Sequence, residues 1–183
     1  FLHAYDSLLQ GEVPNVPALP IQYRDYALWQ RSWLEAGEQE RQLDYWRAKL
    51  GDEHPPLKLP TDHPRPAHSS RQGRRLDFAL EQPLAQQLGA LARQQGVTLF
   101  AVLLAGFKLL LSRYSGQQDI RVGVPIANRT RQEAEGLIGF FVNTQVLRTE
   151  LSPQLTVQQL LADIRETTLG AQAHQDLPFE RLV

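Results

Sequence analysis

Four short stretches set hydrogen-bonding or ionisable groups among large apolar ones: YRDYALW (23–29), VPIANRTR (124–131), GLIGFFVNTQVLR (136–148) and HQDLPFERL (174–182). In the third, Asn143, Thr144 and Gln145 follow close behind Phe140 and Phe141. Burying amide and hydroxyl groups there costs free energy unless each finds a hydrogen-bond partner. The partner is their own backbone, a neighbouring element or a ligand. Strand alternation puts Asn143 and Gln145 on one face and Thr144 and Arg148 on the other. Polar groups on both faces suit the wall of a wet crevice, or buried cross-strand bonding. In the second stretch a strand ends and delivers Asn128, Arg129 and Arg131, where α/β folds commonly present functional groups. The bland alternative is a turn with solvated arginines.

The other two stretches read as structural. On a helix Tyr23 and Tyr26 share a face, with Trp29 and Trp33 beside them, and such aromatics pack against a sheet while Asp25 takes a nearby donor. HQDLPFERL reads as a helix entry. Leu177 precedes a proline and avoids helical torsions, Pro178 suits a first helical position, and Glu180 lies where the helix dipole favours an acid. His174, Gln175 and Asp176 cap or cross-link locally.

Several chemistries are excluded. No cysteine is present, so disulfides, thiolate metal sites and thiol nucleophiles are absent. His54, His63 and His68 fall in an irregular proline-rich arm without fixed ligand geometry, so no metal site is expected. No GxSxG elbow, phosphate-binding glycine loop or HExxH pair occurs. The net charge of -1 gives no electrostatic footprint for nucleic acid or an anionic membrane. The longest apolar run, Leu99 to Leu111, is too short to span a bilayer and carries Lys108. Absence of cysteine fits a reducing compartment, and a cytoplasmic location is expected. The chain starts at Phe1 and contains no methionine, so it is expected to be a piece of something longer.

The elements that must position these groups are legible from periodicity. Phe1, Leu2, Tyr5, Leu8 and Leu9 make one helical face, stopped by Gly11. Residues 22–50 are helical with a break near Gly37. The stretch 51–73 carries Pro55, Pro56, Pro60, Pro64 and Pro66 and reads as a linker or wrapping arm. RRLDFAL alternates Leu76, Phe78 and Leu80, a strand pattern. Pro83 opens a helix that ends at Gly96, and Thr98 caps the next. That next helix is apolar nearly all round and is expected to be buried on several sides. DIRVGVPIA is a second strand and Asn143 to Leu151 a third. Thr156 with Gln159 is a capping box ahead of a last long helix. Strands separated by helices imply an α/β layered fold.

In this order and spacing, YRDYALW, GLIGFFVNTQVLR and HQDLPFE resemble core motifs of the condensation domains of nonribosomal peptide synthetases. LPTDHPRP and VGVPIANRTR add to the likeness, which covers the whole chain. It implies a chloramphenicol-acetyltransferase-like layered α/β lobe, cut from a two-lobed, V-shaped condensation domain with a channel between the lobes. Residues 1–50 would be the end of the N-terminal lobe and connecting helices, 51–73 the linker, and 74–183 an incomplete C-terminal lobe. The family joins a carrier-bound acyl thioester to a carrier-bound aminoacyl thioester in the biosynthesis of secondary metabolites such as siderophores or antibiotics. The implied partners are carrier domains upstream and downstream and an adenylation domain in the same polypeptide. Phosphopantetheine is presented by the carriers; no cofactor is bound by this chain.

The family's catalytic HHxxxDG is absent, so the chain is expected to begin just past it, to hold no catalytic residue and to be inactive alone. By the resemblance, Asn143, Thr144 and Gln145 face the channel or substrate. Arg129 or Arg148 would pair with the acid of the missing motif. Tyr23, Asp25, Trp29, His174, Gln175, Asp176, Pro178, Phe179 and Glu180 would be mainly structural. Cut strand edges and apolar surface imply self-association of the isolated chain. A non-catalytic platform of the same fold, binding carriers or recruiting a partner enzyme, is the competing reading; an epimerising or cyclising relative is a third.

Overall fold

Short-range chemistry sets where the helices begin and end. The computed structural model describes residues 2–15, 18–64, 68 and 72–182. Its helices are α1 (Leu2–Leu9), α2 (Tyr23–Trp33), α3 (Gln39–Leu50), α4 (Gln82–Gln94), α5 (Leu99–Ser115) and α6 (Val157–Ala173). Thr98 caps α5 by accepting from the Ala101 N–H at 3.2 Å, and Gly116 ends that helix at φ 70°. Thr156 and Gln159 cap α6 reciprocally, each accepting the other's backbone N–H at 3.2 and 3.0 Å. Between α2 and α3 a π-type turn, Leu34–Glu38, holds Gly37 at φ 113°, where a side chain would be strained. Phe1, expected on the first helix's apolar face, lies outside the described residues. Tyr5, Leu8 and Leu9 of that face are exposed.

Contacts divide the chain into two compact units, Phe1–Arg41 with Ala127–Val142, and Gln42–Ile126 with Asn143–Val183. The first unit is built on aromatics. Tyr26, Ala134, Leu137 and Phe141 are buried together, with Ile21 and Trp29 packed against them. Tyr23 meets Phe141 edge to face at 5.2 Å, and its hydroxyl donates to the Phe140 carbonyl at 2.8 Å. Gly139 permits this: a Cβ there would lie 2.3 Å from the Tyr23 ring.

The second unit carries the sheet. β1 (Asp119–Ile126) and β2 (Asn143–Glu150) pair antiparallel, from Asp119 opposite Glu150 to Ile126 opposite Asn143. Gln145, Leu147 and Thr149 share one buried face of β2, and α6 packs on the strand with Leu160, Leu161 and Ile164 in the core. The proline-rich arm has no regular structure in its described residues but is pinned. Gln117 accepts from the Lys58 N–H at 2.7 Å and donates to the Pro56 carbonyl at 3.2 Å. Arg121 reaches His54 Nδ1 at 2.6 Å and the Glu53 carbonyl at 2.7 Å.

Three expectations need correction. RRLDFAL forms no strand: the described residues hold only the β1–β2 pair, and Leu76 and Phe78 are 88 % and 84 % exposed. Alternation marks an extended segment, but a strand also needs a hydrogen-bonded neighbour. Likewise α5 buries one face only, through Ala101, Val102, Leu104, Ala105 and Lys108, and leaves Phe100, Leu103, Phe107 and Leu110 roughly half exposed. The two strands are moreover joined without an intervening α-helix, through a loop with one short 3-10 turn, Gln132–Ala134.

Lys108 is the unexpected member of the buried face, at 0 % exposure. Its Nζ donates to the Leu147 carbonyl at 2.6 Å and to Thr149 Oγ1 at 2.7 Å, tying α5 to β2. Burial, and secondarily Lys49, lower its pKa from 10.5 to about 8, against an opposing pull from Asp119. Between those values the unfolded chain binds the extra proton, so stability rises with pH across that window and the penalty of a buried charge is fully present below it. The destabilisation relieved across that window is on the order of a few kcal/mol. Urea unfolding at pH 7.5 and pH 10 is expected to show this gain over Lys108→Met, whose difference from wild type then changes with pH; a pH-independent difference would contradict it.

Candidate functional site

Asn143, at the first position of β2, makes four hydrogen bonds. Its Nδ2 donates to the carbonyls of Gln175 and Leu177, both at 2.8 Å. Its Oδ1 accepts from the Thr144 N–H at 2.9 Å and the Phe179 N–H at 3.0 Å. An amide offers two donors and two lone pairs, so its capacity is filled. The opening of β2 is thereby stapled to HQDLPFE, and no amide group of Asn143 is left for a substrate. Gln145 is buried and its Nε2 donates to the Ala171 carbonyl at 2.9 Å, satisfying the end of α6. Thr144 lies on the other face, half-buried, and its hydroxyl has no hydrogen-bond partner among the described residues.

The 174–180 loop is held from α3 as well. His174 stacks on Tyr45 at 3.9 Å and its Nδ1 donates to the Gly170 carbonyl at 2.8 Å. Trp46 Nε1 donates to the His174 carbonyl at 2.9 Å, and Gln42 Oε1 accepts from the Leu177 N–H at 2.8 Å. Burial, then Glu166, raises the Tyr45 pKa. A Cβ on Gly170 would lie 2.4 Å from the Tyr45 hydroxyl, so any side chain there requires the Tyr45 ring to shift. The expected helix entry is a three-residue 3-10 turn, Phe179–Arg181, with Pro178 as its cap rather than its first residue. The Asn143 carboxamide occupies the Phe179 N–H, and the chain turns once around it. Gln175 and Asp176 are half-buried and Glu180 is exposed.

The two arginines differ in what they already hold. Arg148 Nε donates to both Asp119 oxygens, at 3.1 and 3.2 Å, and its Nη1 to the Lys49 carbonyl at 3.1 Å. Arg121, directly opposite Arg148 in the ladder, donates to Asp119 Oδ2 at 2.7 Å. Asp119 thus offsets the repulsion of two facing cations. Burial raises its pKa, but the hydrogen bonds from Arg121 and Arg148 outweigh that and hold it below the usual carboxylate range. Arg129, in the first unit, lies 4.0 Å over the Phe141 ring and donates from Nη1 to the carbonyls of Ala134 and Leu137. Among the described residues those acceptors are neutral, and no bond from its Nε or Nη2 is formed.

In the same unit, Asp25 Oδ2 accepts from the Gln22 N–H at 2.9 Å, closing the start of α2. Arg131 lies 3.8 Å over Trp29, which stacks on Trp33 at 5.4 Å. A cavity of about 270 Å³ opens there, lined by Ile21, Asp25, Tyr26, Trp29, Arg131, Glu133 and Ala134. Gln42, Tyr45 and Gly139 escaped the sequence reading because their partners are remote in sequence, and Asp119 because one of its two arginines, Arg148, is 29 residues away. Among the described residues no three His, Cys, Asp or Glu side chains are grouped to hold a metal, and no single helix is long and apolar enough to cross a membrane.

A family model described as "Condensation domain" matches residues 1–183. The chain is 54 % identical over 181 residues to a component of linear gramicidin synthase from Brevibacillus parabrevis, covering 99 % of this chain and 4 % of that protein. It is 44 % identical over 182 residues to phosphinothricin tripeptide synthetase PhsC of Streptomyces viridochromogenes, covering 100 % of this chain and 16 % of that protein. The X-domain from teicoplanin biosynthesis superimposes with a TM-score of 0.88 at 28 % identity, over 98 % of this chain and 41 % of that one. The condensation domain from Monacolin K polyketide synthase MokA gives 0.77 at 25 % identity, over 99 % and 43 %. The chain spans a small part of its curated relatives and less than half of these solved domains. With the fold, the motif order and a match over its whole length in agreement, the chain belongs to the condensation domain family.

Proposed function

We propose that the chain is the supporting part of a peptide-bond-forming condensation domain and supplies no catalytic group of its own. The observation that carries this is the 54 % identity to the linear gramicidin synthase component over 99 % of the chain. In the reaction, the amine of a carrier-bound aminoacyl group attacks the carbonyl carbon of a carrier-bound acyl thioester. A C–N bond forms, the C–S bond breaks, and the amine proton leaves as the thiol is released. The thioester supplies the activation, so positioning is the larger task of the protein. A histidine of HHxxxDG would serve as base or positioner, and that motif does not occur in this sequence.

This chain's residues take distinct parts in that reading. Arg129 is the proposed partner of the motif acid, since Arg148 already has Asp119 while Arg129 holds only neutral acceptors among the described residues. Thr144 has a hydroxyl to offer the phosphopantetheine arm; Asn143 and Gln145 hold the wall in place. Residues 1–50, 51–73 and 74–183 would then belong to the N-terminal lobe and connecting helices, the linker and the C-terminal lobe. Carrier domains on both sides and an adenylation domain in the same polypeptide are the proposed partners, in the cytoplasm. A second reading is a partner-recruiting platform. It is favoured by the likeness, at a TM-score of 0.88, to a structure described as a complex of the X-domain and OxyB.

Supplied with loaded donor and acceptor carriers, the isolated chain is expected to form no peptide product, and a condensation-domain portion bearing HHxxxDG is expected to restore it. Turnover by the chain alone would overturn the first reading. Carrier binding without product, even with that portion added, would favour the second. Asn143→Ala is expected to lower unfolding free energy by about 3 kcal/mol, because it removes the partner of four backbone groups, while Thr144→Val shifts it by less than about 0.5 kcal/mol. Equal effects in urea titrations would erase the distinction between staple and contact residue. Exposed Phe100, Leu103, Phe107, Leu76 and Phe78 imply self-association, so light scattering is expected to give a mass that rises with concentration; a monomer throughout would count against it.

A further inference from the structure

A polar cavity of about 270 Å³ opens between the end of α3, the end of β2 and the middle of α6, all within the second unit. Its walls carry two cations, Lys49 and Arg148, three acids, Glu150, Asp163 and Glu166, and the hydroxyls of Thr149 and Thr167. Arg148 fixes two of these walls together through its bond to the Lys49 carbonyl. Asp163, Glu166 and Thr167 stand at i, i+3 and i+4 on α6 and share one face.

Thr167 separates this cavity from an ordinary solvated surface. It is 4 % exposed, yet its hydroxyl bonds nothing among the described residues. A threonine inside a helix readily donates to a carbonyl one turn earlier, as neighbouring Thr168 does to Ile164 at 2.7 Å. Thr167 makes no such bond and lines the cavity instead. Its oxygen is reachable there, because among the described residues only Asn128 Oδ1 is both sealed and unpartnered. A buried hydroxyl left open to a cavity points to a group that enters it.

The charges around that hydroxyl are unpaired too. Lys49 Nζ, Arg148 Nη2 and the carboxylates of Glu150, Asp163 and Glu166 form no hydrogen bond or ion pair among the described residues. Opposite charges thus border one cavity without closing on each other. The positive side lies at α3 and β2: Lys49 depresses the pKa of Lys108, whose Nζ bonds Thr149 Oγ1 at 2.7 Å. Asp163 and Glu166 form the α6 side, with exposed Glu150 at the strand end. An inorganic anion would face three carboxylates, and a simple cation would face Lys49 and Arg148. No three acids among the described residues are grouped to hold a metal. A dipolar ion meets both signs at once, and the volume, at the small end of ligand pockets, suits one small molecule.

We propose that this cavity binds a free α-amino acid as a dipolar ion, with Lys49 and Arg148 at its carboxylate, Asp163 and Glu166 at its ammonium, and the Thr167 hydroxyl bonded to it. The site does not depend on the reaction proposed above, and no covalent bond is made or broken in it.

The test is calorimetric titration of the whole chain with each proteinogenic L-amino acid in turn, then with the N-acetyl and methyl ester forms of the tightest. At least one free amino acid is expected to bind, and both blocked forms are expected to bind at least about tenfold more weakly, since each loses one charge-assisted contact. Thr167→Val removes a hydroxyl that bonds nothing in the free chain, so it is expected to melt no lower than wild type yet to bind about tenfold more weakly. Lys49→Met is expected to weaken binding by at least as much, and it decides alone should Thr167→Val fail to fold. Absence of binding by every amino acid overturns the proposal. So does a methyl ester or N-acetyl form that binds as tightly as the free amino acid, which would mark a site for one charge only. Unchanged affinity in a folded variant at either position places the ligand elsewhere and overturns it as well.

Discussion

The carboxamide of Asn143 is the constraint on which the second unit depends. Four hydrogen bonds converge on one side chain, and three of them reach backbone groups of residues 175–179. Those groups belong to a segment with no sheet or α-helix of its own, so without the amide they would be orphans. The amide therefore acts as a short piece of secondary structure, replacing the ladder bonds that an irregular loop cannot make. From this staple the loop runs back to α3 through Gln42 and Trp46, and α3 is brought against β2 through the Arg148 bond to the Lys49 carbonyl. A loop, a helix and a strand are fixed by polar contacts with few alternatives.

The first unit solves a similar problem with rings in place of amides. Segment 134–141 lacks α-helix and strand, and is held by Arg129 on two of its carbonyls and by Tyr23 on a third. The ring of Phe141 is shared between the Arg129 cation and the edge of Tyr23. Gly139 is the steric condition for this arrangement, because the Tyr23 ring occupies the volume of its missing side chain. The aromatic stretch of α2 and the glycine-phenylalanine stretch are thus two halves of one contact. In both units arginines serve first as clamps for backbone or carboxylate, which is why their existing partners bear on any further role.

Core chemistry is polar in one more place. A fully buried lysine ties α5 to β2 where a leucine would have given simpler packing. Its ammonium gains a carbonyl and a hydroxyl but loses water, and the balance appears as a depressed pKa. The opposite face of the same helix carries Phe100, Leu103 and Phe107 half exposed. The charged residue is thus inside and the aromatic ones outside, the reverse of what hydropathy along α5 suggests.

By itself the sequence determined the caps of α5 and α6, both paired strands, the break at Gly37 and the family. Caps, glycine stops and period-two alternation act across a few residues and are written where they act. The ordered motifs carried the family because several weak patterns had to agree at once. Only the tertiary structure decided which polar groups are already used. Asn143 finds acceptors 32 and 34 residues away, Gln42 its donor 135 away, and Lys108 its acceptors across a helix–strand contact. Neither spacing nor composition encodes such pairings, because a hydrogen bond depends on where two distant atoms meet. For the same reason RRLDFAL has strand periodicity without a strand, and Asn143 and Thr144, adjacent in the motif, separate into a saturated staple and a hydroxyl with no partner among the described residues.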